Sequence, residues 1–88
     1  MLHRRQIIQD WTRVEDFEVG SSEYRTFEYH VVADENTERM TLTIKCLDAD
    51  ATTVRRLDPN DLAPETDHAK YEDIAGRRMK QLFLNGMI

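Results

Sequence analysis

Two runs of strict alternation dominate the middle of the chain. Phe27, Tyr29, Val31 and Ala33 alternate with Glu28, His30 and Val32; Met40, Leu42, Ile44 and Cys46 alternate with Thr41, Thr43 and Lys45. A period of two over paired runs with a polar break predicts a half-buried β-hairpin, about 24–33 and 39–47. One register suits both faces. It sets Ala33 opposite Met40, Val31 opposite Leu42, Tyr29 opposite Ile44 and Phe27 opposite Cys46. On the second face it sets Glu28 opposite Lys45, His30 opposite Thr43 and Val32 opposite Thr41, with Asp34 meeting Arg39 at the loop neck. A slip of one residue turns the whole apolar set onto the wrong face. A two-stranded hairpin alone is marginal in water, so its apolar face requires a cover.

The flanking segments supply candidates for that cover. Ile7, Ile8, Trp11 and Val14 fall at i, i+1, i+4 and i+7, which predicts an N-terminal helix over about 4–16 with Trp11 plugging the hairpin face. Basic residues at its start and acidic ones at its end oppose the helix dipole, so packing must hold it. Gly20-Ser21-Ser22 reads as a connection. Ala51 to Leu57 is β-branched enough for a third strand, 51–57, whose Arg55 and Arg56 suit an exposed edge. Asp58-Pro59-Asn60-Asp61 is a turn signal. Tyr71, Ile74, Ala75, Met79, Leu82 and Phe83 follow helical spacing, which predicts a C-terminal helix over about 66–84 ended by Asn85-Gly86. Its charges run with the dipole: Glu65 and Asp67 at the start, Arg77, Arg78 and Lys80 toward the end. Gly76 costs about 1 kcal/mol against alanine unless close packing needs it.

The expected fold is therefore α+β, a single domain of 88 residues in the order α-β-β-(β)-α, with both helices on the apolar face of the sheet. This order is similar to that of double-stranded-RNA-binding domains in topology alone. The second helix starts Thr66-Asp67-His68-Ala69-Lys70, without the basic cluster of that family. The hairpin loop reads Asp34-Glu35-Asn36-Thr37-Glu38, without its Gly-Pro-His type sequence. No membership is inferred.

Composition narrows the class. Hydrophobic residues make up 40% and charged residues 33%, which is globular and polar. No apolar run approaches the roughly 20 residues that span a bilayer. Cys46 is the single cysteine, so there is neither an intramolecular disulfide nor a thiolate metal cluster. The expected compartment is the cytoplasm.

No motif for catalysis, metal or nucleotide stands above background, and the expectation is a non-enzyme without cofactor or metal. His30 reads as a solvated sheet-face histidine with no nucleophile beside it. His68, with Glu65 and Asp67, reads as a polar helix start; His3, His30 and His68 lack ligand spacing. Asp48, Asp50 and Thr52 resemble the start of a calcium loop, but Thr53 stands where glycine is needed and Pro59 where the bidentate glutamate belongs. Cys46, facing inward, reads as a buried inert thiol.

Charge gives the two functional readings. The net charge of −5 opposes phosphate binding, so direct nucleic-acid binding is disfavoured. The leading expectation is a non-catalytic protein-interaction domain. It would be a small acidic regulator or inhibitor, of the kind phages and mobile elements encode, meeting a basic nucleic-acid-handling partner. Its contact residues would be Asp48, Asp50, Asp58, Asp61, Glu65, Asp67, Glu72 and Asp73. A homodimer through a strand edge or the Met87-Ile88 tail is compatible with it. The alternative is a nucleic-acid-associated domain, which requires the doublets Arg4-Arg5, Arg55-Arg56 and Arg77-Arg78 to meet on one surface.

Overall fold

The computed structural model describes residues 5–34, 39–57 and 68–88, with the side chains of Arg5, His68 and Ala69 outside that description. The elements are β1 (Arg5–Gly20), β2 (Glu23–Asp34), β3 (Met40–Cys46), β4 (Ala51–Leu57) and α1 (His68–Leu84). The four strands form one antiparallel sheet in the order β1-β2-β3-β4.

The central hairpin pairs as its alternation predicts. All seven pairs from Phe27↔Cys46 to Ala33↔Met40 are present, and the Asp34 amide donates to the Arg39 carbonyl at 2.9 Å. The segment 51–57 is a full strand, paired residue for residue with β3 from Met40↔Leu57 to Cys46↔Ala51.

The N-terminal helix expected over 4–16 is instead β1, so the two-helix arrangement is replaced by a four-stranded sheet with a C-terminal helix. The physical reason lies in the bulges. Pairing of β1 with β2 shifts between Ile7 and Gln9, Gln9 and Thr12, Val14 and Phe17, and Glu18 and Gly20. Each shift inserts residues that break the period of two. Apolar residues three or four apart in such a strand imitate a helical stripe. Ile7, Ile8, Thr12, Val14, Phe17 and Val19 are also β-branched or aromatic, which favours the pleated state. The turn Ser21-Ser22 folds β1 back onto β2, with Ser22 at a φ of 61°. Replacement of the first helix by a strand removes the likeness in element order to double-stranded-RNA-binding domains.

Trp11 accordingly does not plug the hairpin's apolar face. It lies on the opposite face, 41% exposed. The core is built from Val19 of β1, Phe27, Tyr29 and Val31 of β2, Leu42, Ile44 and Cys46 of β3, and Leu57 of β4. Tyr71, Ala75, Met79 and Leu82 of α1 close it. At about 25 cal/mol per Å², each such large side chain contributes roughly 1.5–3 kcal/mol on burial. Phe17 meets the ring of Phe27 edge-on at 5.3 Å. A Cβ on Gly76 would stand 2.7 Å from Phe17 Cζ, so the glycine lets α1 approach β1.

The helix ends as Asn85-Gly86 predicts. Gly86 takes a φ of 74°, its amide donates to Phe83, and that of Met87 donates to Leu82, the pair of bonds that closes a left-handed helix cap. The charge pattern differs from expectation. The first turn carries no acid and the last no base; Glu65 and Asp67 lie outside the described residues, and Arg77, Arg78 and Lys80 precede the final turn. Of the tail, Ile88 packs against the core and Met87 is exposed.

Candidate functional site

One face of the sheet is core beneath α1; the other carries no element among the described residues. Register places its side chains in transverse rows. Ile7, Val32, Thr41 and Arg56 form one row; Trp11, His30, Thr43 and Val54 form the next; Arg13, Glu28, Lys45 and Thr52 form the third. Ring stacking sets Trp11 in the second row, with its indole parallel to His30 at 3.9 Å between centroids. Lys45 Nζ stands 5.4 Å from the indole centroid, and Arg13 bonds Glu28 at 3.3 Å. Ile7 and Val54 are 63% and 61% exposed. This face therefore presents an aromatic centre flanked by apolar side chains and framed by charge.

The local backbone explains how Trp11 reaches that face. Between Gln9 and Thr12 the strand bulges, and its freed groups are met locally. The Trp11 amide donates to the Asp10 carboxylate at 2.8 Å. The Gln9 amide nitrogen donates to Thr12 Oγ1 at 2.6 Å. Thr12 Oγ1 in turn donates to the Asp10 carbonyl. Burial under the indole pushes the His30 pKa below 6.5, opposed by Asp10 and reinforced by Lys45. Beside this stack, a hollow of about 350 Å³ is lined by His30, Asp34, Arg39, Thr41, Thr43 and Arg56 among others.

The arginine doublets behave differently from the acidic set. Arg55 and Arg56 of β4 meet Arg77 and Arg78 of α1 around one hollow of about 410 Å³, with Val54 and Gln81 completing its lining. Arg77 is paired with Asp73 at 2.9 Å, and Arg78 donates to the Gln81 side-chain carbonyl at 3.1 Å. Among the described residues, Arg55 and Arg56 have no ion pair. Two of the three doublets thus converge; Arg4 and the side chain of Arg5 lie outside the described residues.

Of the acidic set, Asp48 and Asp50 sit in the turn between β3 and β4, and Glu72 and Asp73 on α1. Asp48 accepts the Thr26 amide and so ties that turn to β2. Asp73 serves Arg77. Asp58, Asp61, Glu65 and Asp67 lie outside the described residues.

For the remaining candidates, Cys46 is buried and free. Thr52, in the resemblance to a calcium loop, belongs to β4. Among the described residues no group of three or more His, Cys, Asp or Glu is placed to hold a metal ion, and no helix is long and apolar enough to cross a membrane. Sequence reasoning missed Trp11 as a surface residue. Its partner His30 was correctly placed on the outward face, and Trp11 at a bulge was the signal that no periodicity could carry. No family model, curated protein or solved structure matches the chain.

Proposed function

We propose that the protein is a non-catalytic protein-interaction domain that docks a partner through the uncovered face of its sheet. The observation that supports this reading is the stack of Trp11 on His30, partly exposed on a sheet face that also carries Ile7, Val32 and Val54. Tryptophan in such a setting supplies large contact area at low entropic cost, and interface centres are enriched in it. Flanking charge, with Lys45, Arg13 and Glu28, makes a polar rim of the kind interfaces carry. In its specific form the domain is a small acidic regulator or inhibitor of a nucleic-acid-handling protein, of phage or mobile-element type. The net charge of −5 suits a basic partner and speeds encounter with it.

Affinity capture from the native host tests this reading, run with the native chain beside Trp11→Ala and Val54→Asp. A partner recovered by the native chain and lost with both variants supports it. A partner retained by both, or none recovered near native concentration, counts against it.

A second reading is favoured by the meeting of Arg55, Arg56, Arg77 and Arg78: association with nucleic acid through phosphate contacts. Retention on heparin or a duplex at low salt, lost steeply as salt rises, supports this alternative.

A further inference from the structure

The outer edge of β4, unpaired among the described residues, combines three features. First, β4 pairs with β3 without a shift from Ala51 to Leu57, so its second edge is a regular row of amides and carbonyls. No strand of the described residues pairs with it. Second, Arg55 and Arg56 are consecutive and therefore project to opposite faces of the sheet. Arg55 shares the helix side with Leu42, and Arg56 shares the uncovered side with Thr41. Third, Arg77 and Arg78 of α1 border the same hollow, and among the described residues Arg77, paired with Asp73, is the one of the four guanidinium groups with an ion pair.

We propose that this edge is a docking site for an extended acidic segment of a protein partner, added beside β4 as a fifth strand. The proposal rests on the interaction reading above and names a second surface for it. Main-chain bonds to the edge of β4 supply affinity and side-chain pockets supply specificity, as in other strand additions. Two consecutive acidic residues of the added strand face opposite sides and both meet arginine. The one on the helix side meets Arg55 with Arg77 and Arg78; the one on the uncovered side meets Arg56.

Charge selects among occupants. A second copy of β4 brings its own Arg55 and Arg56 to an edge that already carries two arginines, and like charges facing one another across strands are destabilising. A nucleic-acid backbone satisfies the guanidinium groups but leaves the row of amides and carbonyls unpaired. An acidic peptide strand meets both the ladder and the arginines.

The test uses the full chain, isotopically labelled for amide exchange. Three probes are compared: a capped peptide of about eight residues, threonine throughout except for two consecutive central glutamates, within ordinary strand length; its counterpart with two lysines in their place; and a short oligothymidylate. The acidic peptide is expected to slow exchange at alternate amides of β4 and to bind more weakly as salt rises. The double variant Arg55→Gln/Arg56→Gln is expected to weaken it roughly 10-fold, as two exposed ion pairs allow. Binding of the acidic peptide without slowed exchange in β4 overturns the proposal. Equal or tighter binding of oligothymidylate overturns it in favour of phosphate contacts. Slowed exchange in β4 that rises with protein concentration alone overturns it in favour of a second copy, and absence of binding to every probe also overturns it. A captured partner that is indifferent to the β4 variant but lost with Trp11→Ala refutes this site while leaving the interaction reading intact.

Discussion

The sheet has two outer strands, and they are protected from stray pairing in opposite ways. β1 is 16 residues long and would be a dangerous edge if regular. Four register shifts break it, Asp16 bends it at a φ of 51°, and the Trp11 amide is taken by the Asp10 carboxylate. β4 is 7 residues long and regular, and carries two arginines. The long edge is closed by geometry; the short one is guarded by charge. Geometry excludes every strand, whereas charge excludes only basic or like ones. That difference is why the proposed partner strand is placed at β4 and not at β1.

The same contrast extends to packing. α1 rests mainly on β1, through Phe17 against Gly76 and Val19 in the core, whereas most of β4 stays exposed. Phe17→Ala removes the contact with Phe27 and the seat of α1 at once. It should cost about 2–3 kcal/mol, less than the roughly 3–5 kcal/mol of a fully buried aromatic because Phe17 is only half-buried. Val54→Ala in β4 should change stability by no more than about 0.5 kcal/mol. Urea unfolding of the two variants measures both values, and equal losses would erase the distinction between a packed and an open edge strand.

A smaller effect probes the close approach itself. Gly76→Ala gains about 1 kcal/mol of helix propensity but drives a methyl to 2.7 Å from Phe17 Cζ. Overpacking of that kind costs about 1–3 kcal/mol, so a net loss of about 1 kcal/mol is expected. In a Phe17→Leu background the clash disappears, and the alanine should become neutral or stabilising. Additive behaviour across that double-mutant cycle would show that the two residues do not meet.

These experiments also mark what the sequence made legible. The hairpin register, the strand over 51–57 and the helix stop at Gly86 rest on local chemistry: alternation, β-branching, and a residue that tolerates positive φ. β1 was not legible because bulges at Asp10 and Asp16 move its apolar residues from a spacing of two to one of three or four. The error then carried Trp11 to the wrong face. Within the candidate site, His30 and Lys45 followed from the register, and Arg55 and Arg56 from their place in an edge strand. That Arg77 and Arg78 come beside them depends on how α1 crosses the sheet, which is a long-range contact with no sequence period of its own.

Edge charge has a direct consequence for assembly. Removing it with Arg55→Thr/Arg56→Thr leaves β4 regular, short and β-prone, with Val54 exposed. Sedimentation should then show association that rises with concentration, absent from the native chain at the same concentration. The corresponding change on β1, Arg13→Thr, should leave the native behaviour, because bulges protect that edge. Association of the β1 variant alone would invert the assignment of geometry to one edge and charge to the other.

The smallest expected effect is read from the outward face of β1, where Trp11 covers His30. Two influences compete at that imidazole. An indole face attracts a cation, which by itself would favour protonation. Burial beneath the ring removes water from the charged form, and Lys45 Nζ already occupies the neighbourhood of the same indole at 5.4 Å. Burial is the larger influence and Lys45 reinforces it, so the pKa lies below 6.5 although Asp10 pulls upward. The sign for stability follows. As pH falls through 6.5, the unfolded chain takes up the proton before the folded one does. His30 therefore contributes fully above 6.5, and its contribution declines as pH falls toward and through the folded pKa. Trp11 is the single tryptophan of the chain, so its emission reports the event without labelling. Protonation of the stacked ring should quench it with a midpoint below 6.5, and His30→Gln should abolish the transition while leaving emission at pH 8 near the native level. A midpoint at or above 6.5 would mean that the indole welcomes the cation, and that β1 holds its tryptophan open to solvent instead of sealed over β2.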